Sequence, residues 1–182
     1  MKVIGVVGLP GSGKGEFAKI AAAHDIPIVV MGDVIRRAVE KAGMAPTDEN
    51  MGALATKLRL DLGMDAIARL CIPEIRDQRA PIVMVDGIRG DAEVKAFRAS
   101  FSGFVLVAVA APFNTRLARL HSRGRSDDTT TESSLRSRDE RELGWGLGAA
   151  LDQADFQINN NRDLFAFTTS VKEILKQIGT RA

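Results

Sequence analysis

The sequence predicts an α/β fold in which a parallel sheet of five strands lies between layers of helices. Five short apolar runs rich in β-branched residues recur along the chain, and segments of helical pattern separate them. Each run is continuous and does not alternate with polar residues, which is typical of strands buried on both faces of a parallel sheet. The alternation of strand and helix favours right-handed crossovers between the strands. The predicted strands cover residues 3–7, 26–31, 82–86, 104–110 and 156–159.

Helical segments fill the intervals between these strands. The stretches T-T-T-E at 129–132 and S-V-K-E at 170–173 fit the capping box that begins a helix. The interval 33–81 is too long for a single crossover helix, so a helical insertion is predicted there. The predicted helices cover residues 14–24, 34–41, two stretches within 48–78, 91–99, 113–122, 132–143 and 171–178.

Length and composition limit the class of protein. The chain has 182 residues with 25 basic and 23 acidic side chains, a net charge of +2, which fits one globular domain and argues against a nucleic-acid partner. No apolar run reaches the roughly 20 residues of a membrane span. Cys71 is the only cysteine, which is compatible with a reducing compartment. We therefore expect a cytoplasmic monomer or homodimer with no membrane contact.

A glycine-rich turn follows the first predicted strand and precedes the first predicted helix. Residues 8–14, G-L-P-G-S-G-K, fit the G-x-x-x-x-G-K pattern, in which backbone N–H groups and a helix N-terminus bind phosphate and the lysine reaches the terminal phosphates. Gly15 stands where a Ser or Thr usually contacts Mg²⁺, so the metal is expected to be held through water. The residues predicted to bind the donor nucleotide are Gly8, Leu9, Pro10, Gly11, Ser12, Gly13, Lys14, Gly15 and Glu16.

Four segments resemble those of the nucleoside monophosphate kinases, adenylate kinase in particular. The turn continues as G-x-P-G-x-G-K-G, and M-G-D-V-I-R at 31–36 is similar to that family's T-G-D-x-x-R. The stretch D-G-I-R at 86–89 resembles its D-G-F-P-R without the proline. The stretch R-L-H-S-R-G-R-S-D-D at 119–128, with Arg136 and Arg138 downstream, resembles a shortened form of its lid segment.

The tail resembles a second family. The stretch A-D-F-Q-I-N-N at 154–160 is similar to the A-D-x-x-I-x-N of dephospho-coenzyme A kinases, and the whole chain looks like a group of archaeal P-loop proteins. These resemblances imply a P-loop NTPase fold, a three-layer αβα sandwich. They imply one kinase domain over 1–182, a helical acceptor-binding insertion at 33–80 and a short arginine-rich lid at 119–141.

The resemblance also implies roles for charged residues outside the turn. Asp86 ends a predicted strand, so its carboxylate should organise Mg²⁺ through water at the carboxyl edge of the sheet. Arg36 and Arg89 are expected to clamp an anion on the acceptor, since a guanidinium fork matches a phosphate. Asp33 is expected to position the acceptor or to take a proton from it. The arginines expected to close over the transferred group are Arg119, Arg123, Arg125 and Arg136.

Each of these residues also has a purely structural interpretation. Arg136 can pair with Glu140 one helical turn away, and Arg138 and Arg141 are interpreted mainly as surface ion pairs. Trp145 is expected to pack rather than to stack on a base, and Cys71 to be a buried small hydrophobe. His24 and His121 are far apart in sequence and show no metal spacing.

The function expected from this resemblance is transfer of the γ-phosphoryl group of ATP, with Mg²⁺, to a small nucleotide-like acceptor. A nucleoside monophosphate is favoured, because several arginines suit an acceptor that is already anionic. Dephospho-coenzyme A, phosphorylated on a 3′-hydroxyl, is the alternative within the kinases. A nucleotide-dependent regulator or nucleic-acid-associated NTPase is the alternative of another class.

Overall fold

The computed structural model describes residues 1–123 and 131–180. Its strands and helices follow the predicted order closely. The strands are β1 Lys2–Val7, β2 Ile28–Val30, β3 Ile82–Ile88, β4 Gly103–Ala110 and β5 Phe156–Asn159. The helices are α1 Lys14–Ala22, α2 Met31–Lys41, α3 Asp48–Leu62, α4 Ala66–Asp77, α5 Asp91–Ser100, α6 Phe113–Arg123, α7 Glu132–Gly144, α8 Leu147–Asp152 and α9 Leu164–Thr180.

The five strands form one parallel sheet in the order β2-β3-β1-β4-β5. Strand β1 lies at its centre, between β3 and β4, so the glycine-rich turn emerges in the middle of the carboxyl edge. Asp86 is in register with Val6 on one side and with Val30 on the other. The predicted α/β fold with a five-stranded parallel sheet is therefore confirmed, and Asp86 stands beside the turn as expected.

Apolar side chains pack on both faces of the sheet. One face carries Val3 and Val83 against helices α2 to α5 and α8. The other face carries Ile4 and Met84 against α1 and α9, where Phe17 is completely buried. Adjacent residues of one strand serve opposite faces, which explains why each strand is apolar throughout. The result is the three-layer arrangement that the sequence predicted.

The interval between β2 and β3 holds three helices, α2, α3 and α4, as the length of that interval predicted. They contact one another and the β2 and β3 side of the sheet. No helix of the described residues combines the length and the apolar character that crossing a membrane requires.

Three elements differ from the predicted ones. Strand β2 is shorter, because the helical conformation begins at Met31. The short helix α8 was not predicted. Helix α9 begins at Leu164 instead of residue 171, and Ser170 lies inside it, donating from Oγ to the Ala166 carbonyl. The Asp163 side chain accepts from the Ala166 N–H and so satisfies the true helix start.

Helix α7 begins at the predicted residue but with a different cap. Thr131 is the N-cap, its Oγ1 accepts from the Ser134 N–H at 3.2 Å, and the Ser134 Oγ accepts from the Thr131 N–H. The box thus runs from 131 to 134. The predicted box at 129–132 begins outside the described residues.

Candidate functional site

The glycine-rich turn connects the end of β1 to the start of α1. Gly13 is the N-cap of α1 with φ 118°, a backbone conformation that side chains disfavour. A Cβ on Gly13 would also lie 2.2 Å from Nδ2 of Asn160. Only glycine fits at this position, which places the N-terminus of α1 directly at the turn, where it favours an anion.

Side chains from distant elements hold the turn by its carbonyl oxygens. Arg116 donates to the Pro10 carbonyl at 3.1 Å, and Arg119 donates to the Ser12 carbonyl at 3.3 Å. Asn160 donates to the same Ser12 carbonyl at 2.8 Å. These three side chains fix the turn by its acceptors, which leaves backbone N–H groups for a bound phosphate.

Lys14 lies at the centre of this arrangement. Its Nζ donates to the Gly8 carbonyl at 2.5 Å and to the Leu9 carbonyl at 3.2 Å. Burial lowers the pKa of Lys14 to about 7, the Asp86 carboxylate opposes this shift, and Arg89, Arg138 and Arg123 reinforce it. A bound polyphosphate would supply the negative charge that restores the ammonium form.

A cavity opens beside the turn, and we call it the loop cavity. It contains most of the residues predicted to bind the donor. Gly8 and Leu9 lie behind it and accept from Lys14, and Ser12 is buried. The residues that line the loop cavity are Pro10, Gly11, Gly13, Lys14, Gly15, Glu16, Lys19, Asp86, Arg119, Leu120, Arg123 and Arg138.

The loop cavity fits a magnesium ion held mainly by phosphates and water. Asp86 supplies a carboxylate on its wall, whereas Glu16 pairs with Lys19 at 2.9 Å. The described residues contain no group of three or more His, Cys, Asp or Glu side chains that could enclose a metal. Mg²⁺ bound to nucleotides commonly uses one or two carboxylates and several waters. Asp86 is therefore the residue that would hold it.

A second cavity lies between the helical insertion and α7, and we call it the insertion cavity. Its floor is apolar and its walls carry charged side chains from α3, α7 and the segment after β3. The residues that line the insertion cavity are Met31, Gly32, Ile35, Asp48, Met51, Gly52, Ala55, Arg59, Ile67, Gly87, Arg89, Arg138, Arg141, Glu142 and Trp145.

An arginine–carboxylate network, formed by the following five residues, crosses the insertion cavity. Oε1 of Glu142 accepts from Arg138 Nε at 3.1 Å and also pairs with Arg89. Asp48 accepts from Arg141 at 2.8 Å and contacts Arg138 at 3.3 Å. Burial, together with Arg138 and Arg59, lowers the pKa of Arg89 to about 9, so Arg89 is still a cation at neutral pH. The network ties the helical insertion to α7.

The residues predicted to bind the acceptor are not all in one place. Arg89 lines the insertion cavity, and its predicted role as a clamp on the acceptor stays a prediction. Asp33 and Arg36 belong to α2, and neither is among the described residues that line this cavity. Asp33 is exposed. Its role and that of Arg36 stay predictions.

The predicted lid arginines separate into three groups. Arg119 and Arg123 line the loop cavity. Arg136 is exposed, pairs with Glu132 at 2.7 Å instead of the predicted Glu140, and lies 4.6 Å from the Phe113 ring centroid. Arg125 lies outside the described residues. The lid role of these arginines stays a prediction.

Arg138, for which the sequence pattern favoured a surface ion pair, has a more central place in the structure. Among the described residues, Arg138 is the one that lines both cavities, and it is buried. The sequence pattern indicated no role for Glu142 or Arg59. The four-residue spacing between Arg138 and Glu142 was the available signal, but spacing alone does not tell a buried helix face from an exposed one.

Several structural interpretations are consistent with the observed packing. Trp145 is half-buried, with the Arg59 guanidinium 4.3 Å from its ring centroid. Cys71 is buried, and burial raises its pKa to about 12. In the tail motif, Asp155 accepts from the Leu106 N–H at 2.8 Å, and Asn160 holds the glycine-rich turn. This motif therefore supports the sheet and the turn, and its residues do not line the insertion cavity.

Comparison with known proteins agrees with this architecture. The sequence pattern of the AAA domain family matches residues 7–136. The UPF0200 protein of Methanoregula boonei is 58% identical over 96% of both chains. That of Methanoculleus marisnigri is 56% identical over 100% of this chain and 99% of its own.

Solved structures with low sequence identity share the fold. The TT1252 protein of Thermus thermophilus has a TM-score of 0.66 at 19% identity, covering 97% of each chain. A shikimate kinase from Bacteroides thetaiotaomicron has a TM-score of 0.60 at 15% identity over 98% of each chain. A gluconokinase from Sinorhizobium meliloti has 0.60 at 18% over 97% of this chain and 93% of its own. The fold is thus that of P-loop kinases.

Proposed function

The chain belongs to the UPF0200 protein family and carries an AAA domain with a P-loop kinase fold, and from this premise we propose that it is an ATP- and Mg²⁺-dependent phosphotransferase. Its acceptor is a small, anionic, nucleotide-like molecule. The loop cavity holds the donor, and the insertion cavity holds the acceptor. The cytoplasm is the proposed location.

One observation carries this proposal: the two cavities meet at Arg138. Arg138 lines both, while Asp86 lines the loop cavity and Gly87 and Arg89 line the insertion cavity. The same strand end therefore faces both cavities, an arrangement that suits direct transfer from a donor in one cavity to an acceptor in the other. Close approach of two substrates is the main requirement of phosphoryl transfer.

Each residue has a definite task in the transfer. The turn and Lys14 bind the β- and γ-phosphates, and Asp86 orients water around the metal, which would neutralise phosphate charge when bound. Arg138, Arg119 and Arg123 line the same cavity, and their task is to stabilise the charge that develops on the transferred group. An acceptor oxygen forms the new bond to the γ-phosphorus, the bond to the β-phosphate oxygen breaks, and ADP leaves.

Cationic side chains around the insertion cavity favour an acceptor that is already anionic. Arg89, Arg138 and Arg141 face the carboxylates of Asp48 and Glu142 there, so these side chains carry three positive and two negative charges. The fourth lining arginine, Arg59, is offset by its pair with Glu93. A nucleoside monophosphate fits this balance and needs no catalytic base. Dephospho-coenzyme A remains the second acceptor in the test.

A coupled assay for ADP release tests the proposal. The full chain is supplied with ATP, Mg²⁺ and a panel of nucleoside monophosphates, shikimate, gluconate and dephospho-coenzyme A. We expect ADP release that depends on one acceptor, with a stoichiometric phosphorylated product. Slow ATP hydrolysis that no acceptor changes would contradict the proposal and favour a regulatory NTPase.

The variant Lys14→Ala separates ATP binding from folding. We expect loss of measurable ATP binding in calorimetry, because the charge that meets the phosphates is gone, with an unfolding midpoint close to that of the natural chain. The Lys95→Ala variant, at an exposed position that lines neither cavity, is the control and should keep ATP binding. Tight ATP binding by Lys14→Ala would remove the glycine-rich turn from the proposed function.

A further inference from the structure

One residue that lines the insertion cavity is a buried carboxylate with one oxygen that accepts no hydrogen bond. Glu142 is 1% exposed, and its Oε1 takes both contacts from Arg89 and Arg138. Its Oε2 is buried without a hydrogen-bond partner in the described part of the chain. A buried charged acceptor in this state costs free energy, unless a ligand supplies the missing donor.

The walls of the same cavity carry two buried donors in the same condition. Nε of Arg59 and Nε of Arg141 have no hydrogen-bond partner among the described residues. The rest of the Arg59 guanidinium has partners, since its Nη2 donates to Glu93 at 2.6 Å and its plane lies over the Trp145 ring. Two donors and one acceptor among the lining residues therefore lack partners and are closed off from solvent, so a ligand would meet them only after the lining side chains shift.

We propose that Glu142 is a specificity-determining residue of the insertion cavity, and that its Oε2 accepts a hydrogen bond from an O–H or N–H group carried by the acceptor. This inference rests on the proposed function, in which this cavity holds the acceptor. It narrows the acceptor to an anion that also has its own donor, such as a sugar hydroxyl or a base amino group. Simple anions without a donor, such as fully ionised carboxylates, fit the arginines but leave Oε2 unsatisfied.

Asp48 provides a matched comparison within the same network. It is also a carboxylate that pairs with arginines of α7, but both of its oxygens accept from Arg141, at 2.8 and 2.9 Å. Replacing Asp48 or Glu142 by its amide removes one negative charge from the network. Only the change at Glu142 also removes an acceptor that lacks a partner.

The variant Glu142→Gln reverses the hydrogen-bonding character at the Oε2 position. The amide oxygen must face Arg89 and Arg138, since these side chains only donate. The amide NH₂ then occupies the place of Oε2 and opposes a donor on the ligand. A ligand without that donor does not meet this conflict.

Calorimetric titration of the full chain tests this with four probes. They are adenosine 5′-monophosphate and its 2′-deoxy, 3′-deoxy and 6-deamino analogues, each of which lacks one donor. For the natural chain we expect one analogue to bind about 10- to 100-fold more weakly than the parent, the effect of one buried charged hydrogen bond. In Glu142→Gln the affinity difference between parent and analogue should fall to about threefold or less, and in Asp48→Asn it should persist.

Three results would overturn the inference. The affinity difference between parent and analogue could remain in Glu142→Gln, it could disappear equally in Asp48→Asn, or the four probes could bind equally or not at all. Thermal unfolding of both variants establishes that they are folded. The ADP-release assay keeps the proposed function separate. If phosphoryl transfer occurs but Glu142→Gln leaves the affinity ratio between parent and analogue unchanged, only the role of Glu142 is refuted. If the affinity ratios change as expected but no acceptor is phosphorylated, only the kinase activity is refuted.

Discussion

Two residues of the glycine-rich turn, Lys14 and Gly15, have surroundings that differ from those usual in such turns. Lys14 is held by the carbonyl oxygens of its own turn, and burial lowers its pKa to about 7. Gly15 leaves open space where related turns carry a hydroxyl, because a Cβ there would meet nothing within 4 Å. Both features change how tightly phosphate and metal bind, and each gives a prediction at the scale of one side chain.

The affinity for ATP should fall as the pH rises above 7. Lys14 must be an ammonium in the complex, so binding is strongest below the pKa of about 7 in the free protein. Above that pH each pH unit should weaken binding by up to about tenfold, with uptake of a proton. Calorimetry between pH 7 and 8.5 in two buffers of different ionisation enthalpy measures both effects. An affinity that stays constant over this range would contradict the prediction.

Restoring a hydroxyl at position 15 should tighten metal binding. Gly15→Ser places the group that usually contacts Mg²⁺ into open space. We expect about a fivefold lower Mg²⁺ concentration for half-maximal ATP affinity, the scale of one added polar contact. Gly15→Ala is the control, since it adds the Cβ without the hydroxyl. Equal behaviour of the two variants would show that the hydroxyl has no access to the metal.

At the scale of elements, buried ion pairs connect helices that are distant in sequence. Arg59 of α3 and Glu93 of α5 form a pair at 2.6 Å with side-chain exposures of 2% and 0%. Oε2 of Glu93 also accepts from the Arg89 N–H at 2.7 Å. Desolvation raises the pKa of Glu93, while Arg59 opposes the shift. One pair therefore anchors the helical insertion and the segment that carries Arg89.

Breaking this pair should destabilise the whole protein. Arg59→Met leaves the Glu93 carboxylate buried without its partner, which should cost about 3–5 kcal/mol of unfolding free energy. Arg69→Met, which removes an exposed pair of α4 with Asp65, is the control and should change stability by less than about 0.5 kcal/mol. Urea unfolding followed by circular dichroism measures both. Equal losses in the two variants would refute the importance of burial.

At the scale of the whole molecule, the fold brings the two cavities to one edge of the sheet. Strands β1 and β3 are neighbours, so the glycine-rich turn and the segment 86–89 emerge side by side. Arg138 of helix α7 lies where the two cavities meet. Binding in one cavity should therefore change affinity in the other, and the coupling must be reciprocal.

Arg138→Lys should weaken that coupling. Lysine keeps the charge but loses the planar fork that contacts two groups at once. We expect kcat/KM for transfer to fall about 100-fold, and the effect of a non-hydrolysable ATP analogue on acceptor affinity to shrink. The control is Arg69→Lys, at an exposed position that lines neither cavity. Steady-state kinetics and paired titrations measure the two effects, and equal kinetics in both variants would refute this role for Arg138.

Local sequence signals predicted the elements with short-range causes. The strands were predictable because both of their faces are buried, and the turn because Gly13 and Lys14 follow a strand at fixed spacing. Helix α9 was placed seven residues too late, since S-V-K-E at 170–173 resembles a cap while the real cap is Asp163. Two capping signals compete there, and the packing of Phe167 and Val171 on the sheet decides between them.

The sequence by itself determined the α/β class, the glycine-rich turn and the position of Asp86, because each depends on residues close together in the chain. The tertiary structure decided which charges are buried. Arg138 and Glu142 have the same sequence pattern as an exposed ion pair, and only the packing of α7 against the insertion removes them from water. Arg59 pairs with Glu93 of α5, a contact that no local spacing predicts. Burial gives a charge a large energetic effect, and it depends on contacts between segments that no local pattern records.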